Sequence, residues 1–245
     1  MRRFSGEQYL IREPRAPHEG IRDYPTYNLP DAALILAMPL RTLQSWVYDK
    51  PIFKVAESED EGQRLLSFRD LAQLYFLKFV RRHAGLSDTQ ARMLLQYAQD
   101  VTSSKYPLLS EHIRVSSRHV LWEHVSQKTG EKKILELLRP RGQYVLVEVV
   151  NMFSTRVDRD GRGQMQRLYP WRLWRKGDER RPVSIDPYVM SGKLVLTGTR
   201  IPAVAVAARL KQGEPVREIA QDYGVSQRLV KESLRHLNLV IPKAA

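Results

Sequence analysis

Asp186-Pro-Tyr-Val-Met-Ser-Gly-Lys-Leu-Val-Leu-Thr-Gly-Thr-Arg-Ile-Pro202 decides how the C-terminal part of this chain folds. Gly192 and Gly198 bracket an apolar run at Val195 and Leu196, which predicts a short strand between two turns. Thr199-Arg-Ile-Pro202 then opens a helix, and Pro202 suits its first turn because an amide hydrogen there has no intrahelical acceptor. Val204, Val206, Ala207 and Leu210 form that helix, and Gln212-Gly213 ends it. Val216 to Tyr223 reads as a second helix, closed by Gly224 in the left-handed conformation. Ser226 caps a third, with Leu229, Val230, Leu234 and Leu237 as its buried side. Gln227, Arg228, Lys231 and Arg235 lie on its outer face. A small strand leading into helices with a tight turn is a binding module, and nothing in it is an obvious catalyst.

Helix, short turn and helix also occur near the other end. Asp31 to Leu36 is one helix and Leu40 to Tyr48 another, with Ala37-Met-Pro39 between them. Leu40, Leu43 and Val47 share a face, with Trp46 beside them, which leaves Arg41, Thr42, Gln44 and Ser45 on the other sides. Pro51 to Ala56 and Arg64 to Ser67 flank the acidic tip Glu57-Ser-Glu-Asp-Glu-Gly62 as a hairpin, or wing. Ser67 with Asp70 forms a capping box for a helix from Phe68 to about His83, in which Leu71, Leu74, Tyr75, Lys78 and Phe79 are in register and which Gly85 stops. Ser87 caps a further helix, Asp88 to about Gln99.

Between these units the pattern is less regular. His119 to Val125 and Lys133 to Leu138 read as strands around a turn at Lys128 to Glu131. Gln143 to Val157 fits either period: Val145, Val147 and Val149 alternate like a strand, while Val145, Val149, Met152, Phe153 and Val157 follow a helix. Its length without a breaker favours helix. Asp158 to Gly163 is a turn, with a strand from Gln164 to Tyr169 after it. The segment 171–182 is basic, aromatic and proline-bounded, a linker docking by its tryptophans. The expected organisation is an arm at 1–24, a first unit at 25–102, a mixed α/β segment at 103–170, the linker at 171–182 and the tail at 183–245. The fold class is mainly α.

With 40 basic and 27 acidic residues in 245, the formal charge is +13, which suits a polyanionic partner. The absence of cysteine excludes thiol catalysis, thiolate metal sites and disulfide scaffolding. No apolar run approaches the roughly 18 residues that span a bilayer, and the first residues lack the apolar core of a signal peptide, so a cytoplasmic protein is expected. His112, His119 and His124, with Glu123 nearby, do not converge on one helical or strand face, as ligands of a metal must. Neither a phosphate loop nor a nucleophile elbow is present. The expectation is a protein that is not an enzyme and needs no metal or cofactor.

The first unit resembles the winged helix-turn-helix of the MerR family, on Asp31-Ala-Ala, Pro39-Leu-Arg-Thr-Leu-Gln-Ser-Trp46, Leu66-Ser-Phe-Arg-Asp-Leu71 and Gly85-Leu-Ser87. That resemblance implies a second helix entering the major groove and a wing on the backbone. Arg41, Thr42, Gln44 and Ser45 then read bases, arginine suiting guanine and glutamine adenine through paired hydrogen bonds. Lys50, Lys54, Arg64 and Arg69 sit on phosphates, since the acidic wing tip cannot. The tail resembles the small helix-turn-helix family known as domain of unknown function 433. It does so on Ile185-Asp-Pro, Val189, Ser191-Gly-Lys193, Leu196, Gly198-Thr-Arg-Ile-Pro202, Gly213-Glu, Ile219-Ala, Asp222-Tyr and Leu229-Val230, with Leu194 where proline is usual.

Members of that family are often antitoxins paired with PIN-like ribonuclease toxins. The whole layout is similar to a VapB-type antitoxin, which implies a homodimer that binds a double-stranded operator, represses its own operon and neutralises the toxin. Gln227, Arg228, Lys231 and Arg235 of the tail either join in DNA recognition or lie on a domain that serves dimerisation. Trp171, Arg172, Trp174, Arg175 and Lys176 are the candidate toxin-facing residues. The alternative is a MerR-like transcription regulator with no toxin partner.

Overall fold

The computed structural model describes residues 20–49, 51, 65–102, 104–109, 151–171 and 181–240. The described chain is mainly helical, with two small antiparallel sheets. Helix α1 (Leu29–Leu36) starts two residues before the expected Asp31, because Asn28 accepts the amide of Asp31 as N-cap. Its C-cap is Ala37 at φ 47°, ψ 53°, a left-handed conformation that costs a residue with a Cβ about 1 kcal/mol. Helix α2 (Leu40–Gln44) follows and widens into a π turn over Ser45–Asp49.

The burial pattern differs from the expected one at the first residue. Leu43, Trp46 and Val47 are buried, but Leu40 is 39% exposed rather than part of the core. A π turn holds more residues than the α turn's 3.6, and in it both Trp46 and Val47 take the inner face, while Leu40 at the first position of α2 lies at its edge.

Helix α3 (Phe68–Ala84) begins at the expected capping box. Ser67 Oγ accepts the Asp70 amide at 3.1 Å, Asp70 Oδ2 accepts the Ser67 amide at 3.0 Å, and Gly85 ends the helix at φ 68°. Asp70 is fully buried, its other oxygen bonded by Tyr106 Oη at 3.1 Å. Helix α4 (Asp88–Thr102) runs three residues past Gln99.

Residues 151–154 are helical, but Val157 is not. It opens strand β1 (Val157–Arg159), which pairs with β2 (Met165–Leu168) in the register Val157 to Leu168. The alternating pattern therefore prevails at that end, because Val157 has a strand partner and a buried place beside Leu168. Residues 143–150 and the proposed strands at 119–125 and 133–138 lie outside the described residues, as do the three histidines 112, 119 and 124 and most of the wing.

In the tail, β3 (Val183–Ser184) pairs with β4 (Val195–Leu196), the strand expected between the two glycines. Helices α5 (Ala203–Lys211), α6 (Val216–Tyr223) and α7 (Gln227–Val240) follow at the expected boundaries. On α5, Ala203, Val206 and Ala207 fill the inner face and Val204 is 49% exposed.

The core is continuous from Tyr27 to Val230. Phe153 meets Tyr75 and Phe76 of α3, edge-on to Phe76 at 4.7 Å. Leu168 bridges Ile185, joining the β1–β2 hairpin to the tail. Buried Tyr27 donates from its hydroxyl to the carbonyl of Gly192 at 2.9 Å, and burial pushes that hydroxyl's pKa upward. A Cβ at Gly192 would lie 2.2 Å from the Tyr27 oxygen, at a φ of +77°.

Candidate nucleic-acid interface

The first pair of helices is held from outside as well as by its own sequence. Residues 37–39 join α1 to α2, and the amide of Ala37 turns back to the carbonyls of Ala33 and Leu34. Tyr27 and Leu66 form an antiparallel bridge alongside. From α3, Lys78 Nζ donates to the Leu36 carbonyl and, at 2.9 Å, to that of Ala37. A cation at a helix C-terminus meets the negative end of its dipole and the carbonyls that have no helical donor. Burial, with Arg82 adding to it, pushes the Lys78 ammonium down to about 8. One turn further along, Arg81 lies over the Trp46 ring at 5.4 Å and pairs with Asp88 at 2.9 Å.

Against this frame Arg41 and Gln44 are exposed on α2, and Thr42 and Ser45 are half-buried beside them. Arg69 is placed differently from a free phosphate contact. It pairs with Asp23 at 3.0 Å, donates to Gln164 at 3.0 Å and lies over the Tyr106 ring. Lys50, Lys54 and Arg64 lie outside the described residues.

The tail carries a second pair, α6 and α7, joined by residues 224–226. Gly224, at φ 65°, donates to the carbonyls of Ala220 and Gln221, and Ser226 Oγ accepts the Leu229 amide at 3.2 Å. Gln227, Arg228 and Lys231 are exposed on α7, and Arg228 approaches Glu232 at 3.8 Å, four residues along. The backbone of Arg235 belongs to α7, but its side chain is outside the described ones. Arg209 of α5 clamps this unit by pairing with Glu214 and, at 2.5 Å, with Asp222, and by stacking on Tyr223. The Glu214 hydrogen bond leads the upward shift of its pKa.

Of the linker, Trp171 is half-buried against the core and Arg172, Trp174, Arg175 and Lys176 are outside the described residues. Its two ends are anchored close together. Tyr75 donates to the Pro170 carbonyl at 2.6 Å, and Arg181 pairs with Asp158 at 2.9 Å over the Tyr169 ring. The hydroxyl of Tyr169 also donates to Asp158 at 2.5 Å. Arg167 pairs with buried Asp186 at 2.9 Å, so that acidic residue of the tail motif has a structural role.

Sequence reading placed Lys78 in the apolar register of α3 without giving it a task. The signal was there: a lysine facing the core needs carbonyl or carboxylate partners. Among the described residues no group of three or more His, Asp or Glu side chains is arranged to hold a metal ion. No helix among them is long and apolar enough to cross a membrane.

Residues 183–236, which span β3 to most of α7, match the family model described as "Protein of unknown function (DUF433)". "Putative antitoxin VapB45" of Mycobacterium tuberculosis is 26% identical over 233 residues, covering 86% of this chain and 93% of that protein. The crystal structure of Rv2018 from Mycobacterium tuberculosis shares the fold, with a TM-score of 0.68 at 24% identity, covering 86% of this chain and 98% of that one. Both likenesses extend well beyond the tail, which alone, between Val183 and His236, carries the match to the family model.

Proposed function

We propose that this chain is the antitoxin of a toxin–antitoxin pair, and that it binds DNA and represses its own operon. The observation that carries this reading is the similarity, along nearly the full length of both chains, to a protein named as an antitoxin. Two further features support it. The net charge of +13 favours a phosphate backbone, and exposed Arg41 and Gln44 on α2 have the donors and acceptors that read base edges.

In this reading α1 and α2 form a MerR-like helix-turn-helix with α2 in the major groove. Thr42 and Ser45 supply shorter hydrogen bonds, and Lys50, Lys54 and Arg64 contact phosphates. Arg69 is better used in holding Asp23 and Gln164 to α3. Gln227, Arg228, Lys231 and Arg235 offer a second DNA surface on a homodimer. The toxin partner is a PIN-like ribonuclease. Trp171, Arg172, Trp174, Arg175 and Lys176 face it, since guanidinium groups pair well with the carboxylates of a nuclease site.

Co-expression with the neighbouring gene tests the first part. The neighbour's product co-purifies and loses ribonuclease activity if the reading is right; if it does neither, the chain is a regulator without a toxin. Deleting residues 171–181 should release the toxin, and intact inhibition would remove the linker from the mechanism. Gel shifts on the upstream region test the second part. Arg41→Ala with Gln44→Ala should cost about 2 kcal/mol or more of operator affinity. Wild-type affinity should fall steeply with salt, and a flat response would argue against DNA.

A further inference from the structure

We infer that Lys78 and Arg81 of α3 are positioning residues for base reading: they set the angle at which α2 is presented without themselves touching DNA. The inference rests on the DNA reading above. A lysine in a unit that binds DNA would ordinarily be assigned to a phosphate. Here its ammonium is turned inward, onto the carbonyls of Leu36 and Ala37, at the turn between α1 and α2. Arg81, three residues on and therefore on the same side of α3, presents its guanidinium plane to Trp46.

Trp46 sits in the π turn of α2, 2% exposed, and its indole nitrogen has no hydrogen-bond partner among the described residues. Packing and the cation above its ring therefore hold it. Arg81 is itself held at the start of α4, by Asp88 at 2.9 Å and by the Leu86 carbonyl at 3.4 Å. One contact grips the turn and the other grips the second helix. Two such points on a rigid 17-residue helix limit how α2 can pivot. A misplaced reading helix loses base contacts, whereas non-specific attraction to phosphates depends mainly on charge.

The test uses the full chain with a duplex from its upstream region and a scrambled duplex of equal length, across a salt series. Lys78→Met and Arg81→Met should each weaken operator binding about tenfold, the scale of one lost base contact. Binding to the scrambled duplex should stay within about twofold, and for Lys78→Met the salt slope should not change. A slope lower by about 1 would make Lys78 a phosphate contact and overturn the inference. So would an equal loss on both duplexes, or no loss on either.

Stability is separated by the double variant Ala37→Gly with Lys78→Met, in which glycine relieves the left-handed turn. If it restores both the melting temperature and the operator preference, Lys78 only stabilises the fold. If wild type itself does not distinguish the duplexes, the DNA reading fails, and hydrogen exchange of amides 38 and 40–46 without DNA still judges the brace. Unchanged protection there in Lys78→Met and Arg81→Met would discard it.

Discussion

The two helix pairs have the same outline and are stabilised by different means. Each has two helices, a three-residue turn and a left-handed first turn residue, Ala37 at the front and Gly224 in the tail. The tail carries its instructions locally: glycine where φ is positive, serine as the next cap, and a second helix that runs regularly from Gln227 to Val240. The front has alanine where glycine would cost less, a proline cap without a side-chain acceptor, and a second helix that leaves α geometry after five residues. What it lacks locally it receives from α3, through Lys78 and Arg81. The tail fits a module that folds as its sequence directs, the front one that depends on its scaffold.

Four measurements would break or sharpen that contrast. Trp46→Ala should have the largest effect, about 3–5 kcal/mol by urea denaturation, because it empties the buried contact between α2 and α3. Lys78→Met should cost about 1–2 kcal/mol, since charge-assisted bonds to two carbonyls are lost while methionine keeps much of the packing. A cost near zero would show that the turn stands unaided.

The turn residues themselves should respond with opposite signs. Gly224→Ala should destabilise by about 1 kcal/mol and Ala37→Gly should stabilise by up to about that amount. Like signs would end the comparison.

The smallest effect is on pH dependence. The folded Lys78 ammonium titrates at about 8, below the ordinary lysine value of 10.5. Between those values the unfolded chain holds a proton that the folded chain has lost, so this group's contribution to stability rises with pH through that window. The melting temperature of wild type should therefore gain on that of Lys78→Met as pH goes from 7 to 9. No gain would mean that the two carbonyls hold the charged form.

What could be read from the sequence follows the same division. The ends of α3 were legible because Ser67, Asp70 and Gly85 act within a few residues of themselves. The tail helices were legible through Gly224 and Ser226. The π turn was not, because Trp46 is buried beside Arg81 of a different helix. Val157 joined a strand because of a partner eleven residues on, Leu168, whereas the period of 143–157 fitted either element and its length favoured helix. Of the candidate DNA residues, Arg41 and Gln44 were predicted exposed from spacing and are exposed. Arg69 could not be placed that way, since its partners Asp23 and Gln164 are 46 and 95 positions away.

The bond from Tyr27 to Gly192 has a consequence for inheritance. The residues are 165 positions apart, yet one supplies the donor and the other a site with no room for a side chain. A recombination event between them could graft this tail onto a different front, or this front onto a different tail. A new tail without a matching acceptor would strand the buried Tyr27 hydroxyl, and one with a side chain at position 192 would press a methyl against it. Position 192 of the tail and Tyr27 of the front therefore have to be compatible, and a defect caused by Gly192→Ala would be felt at the front.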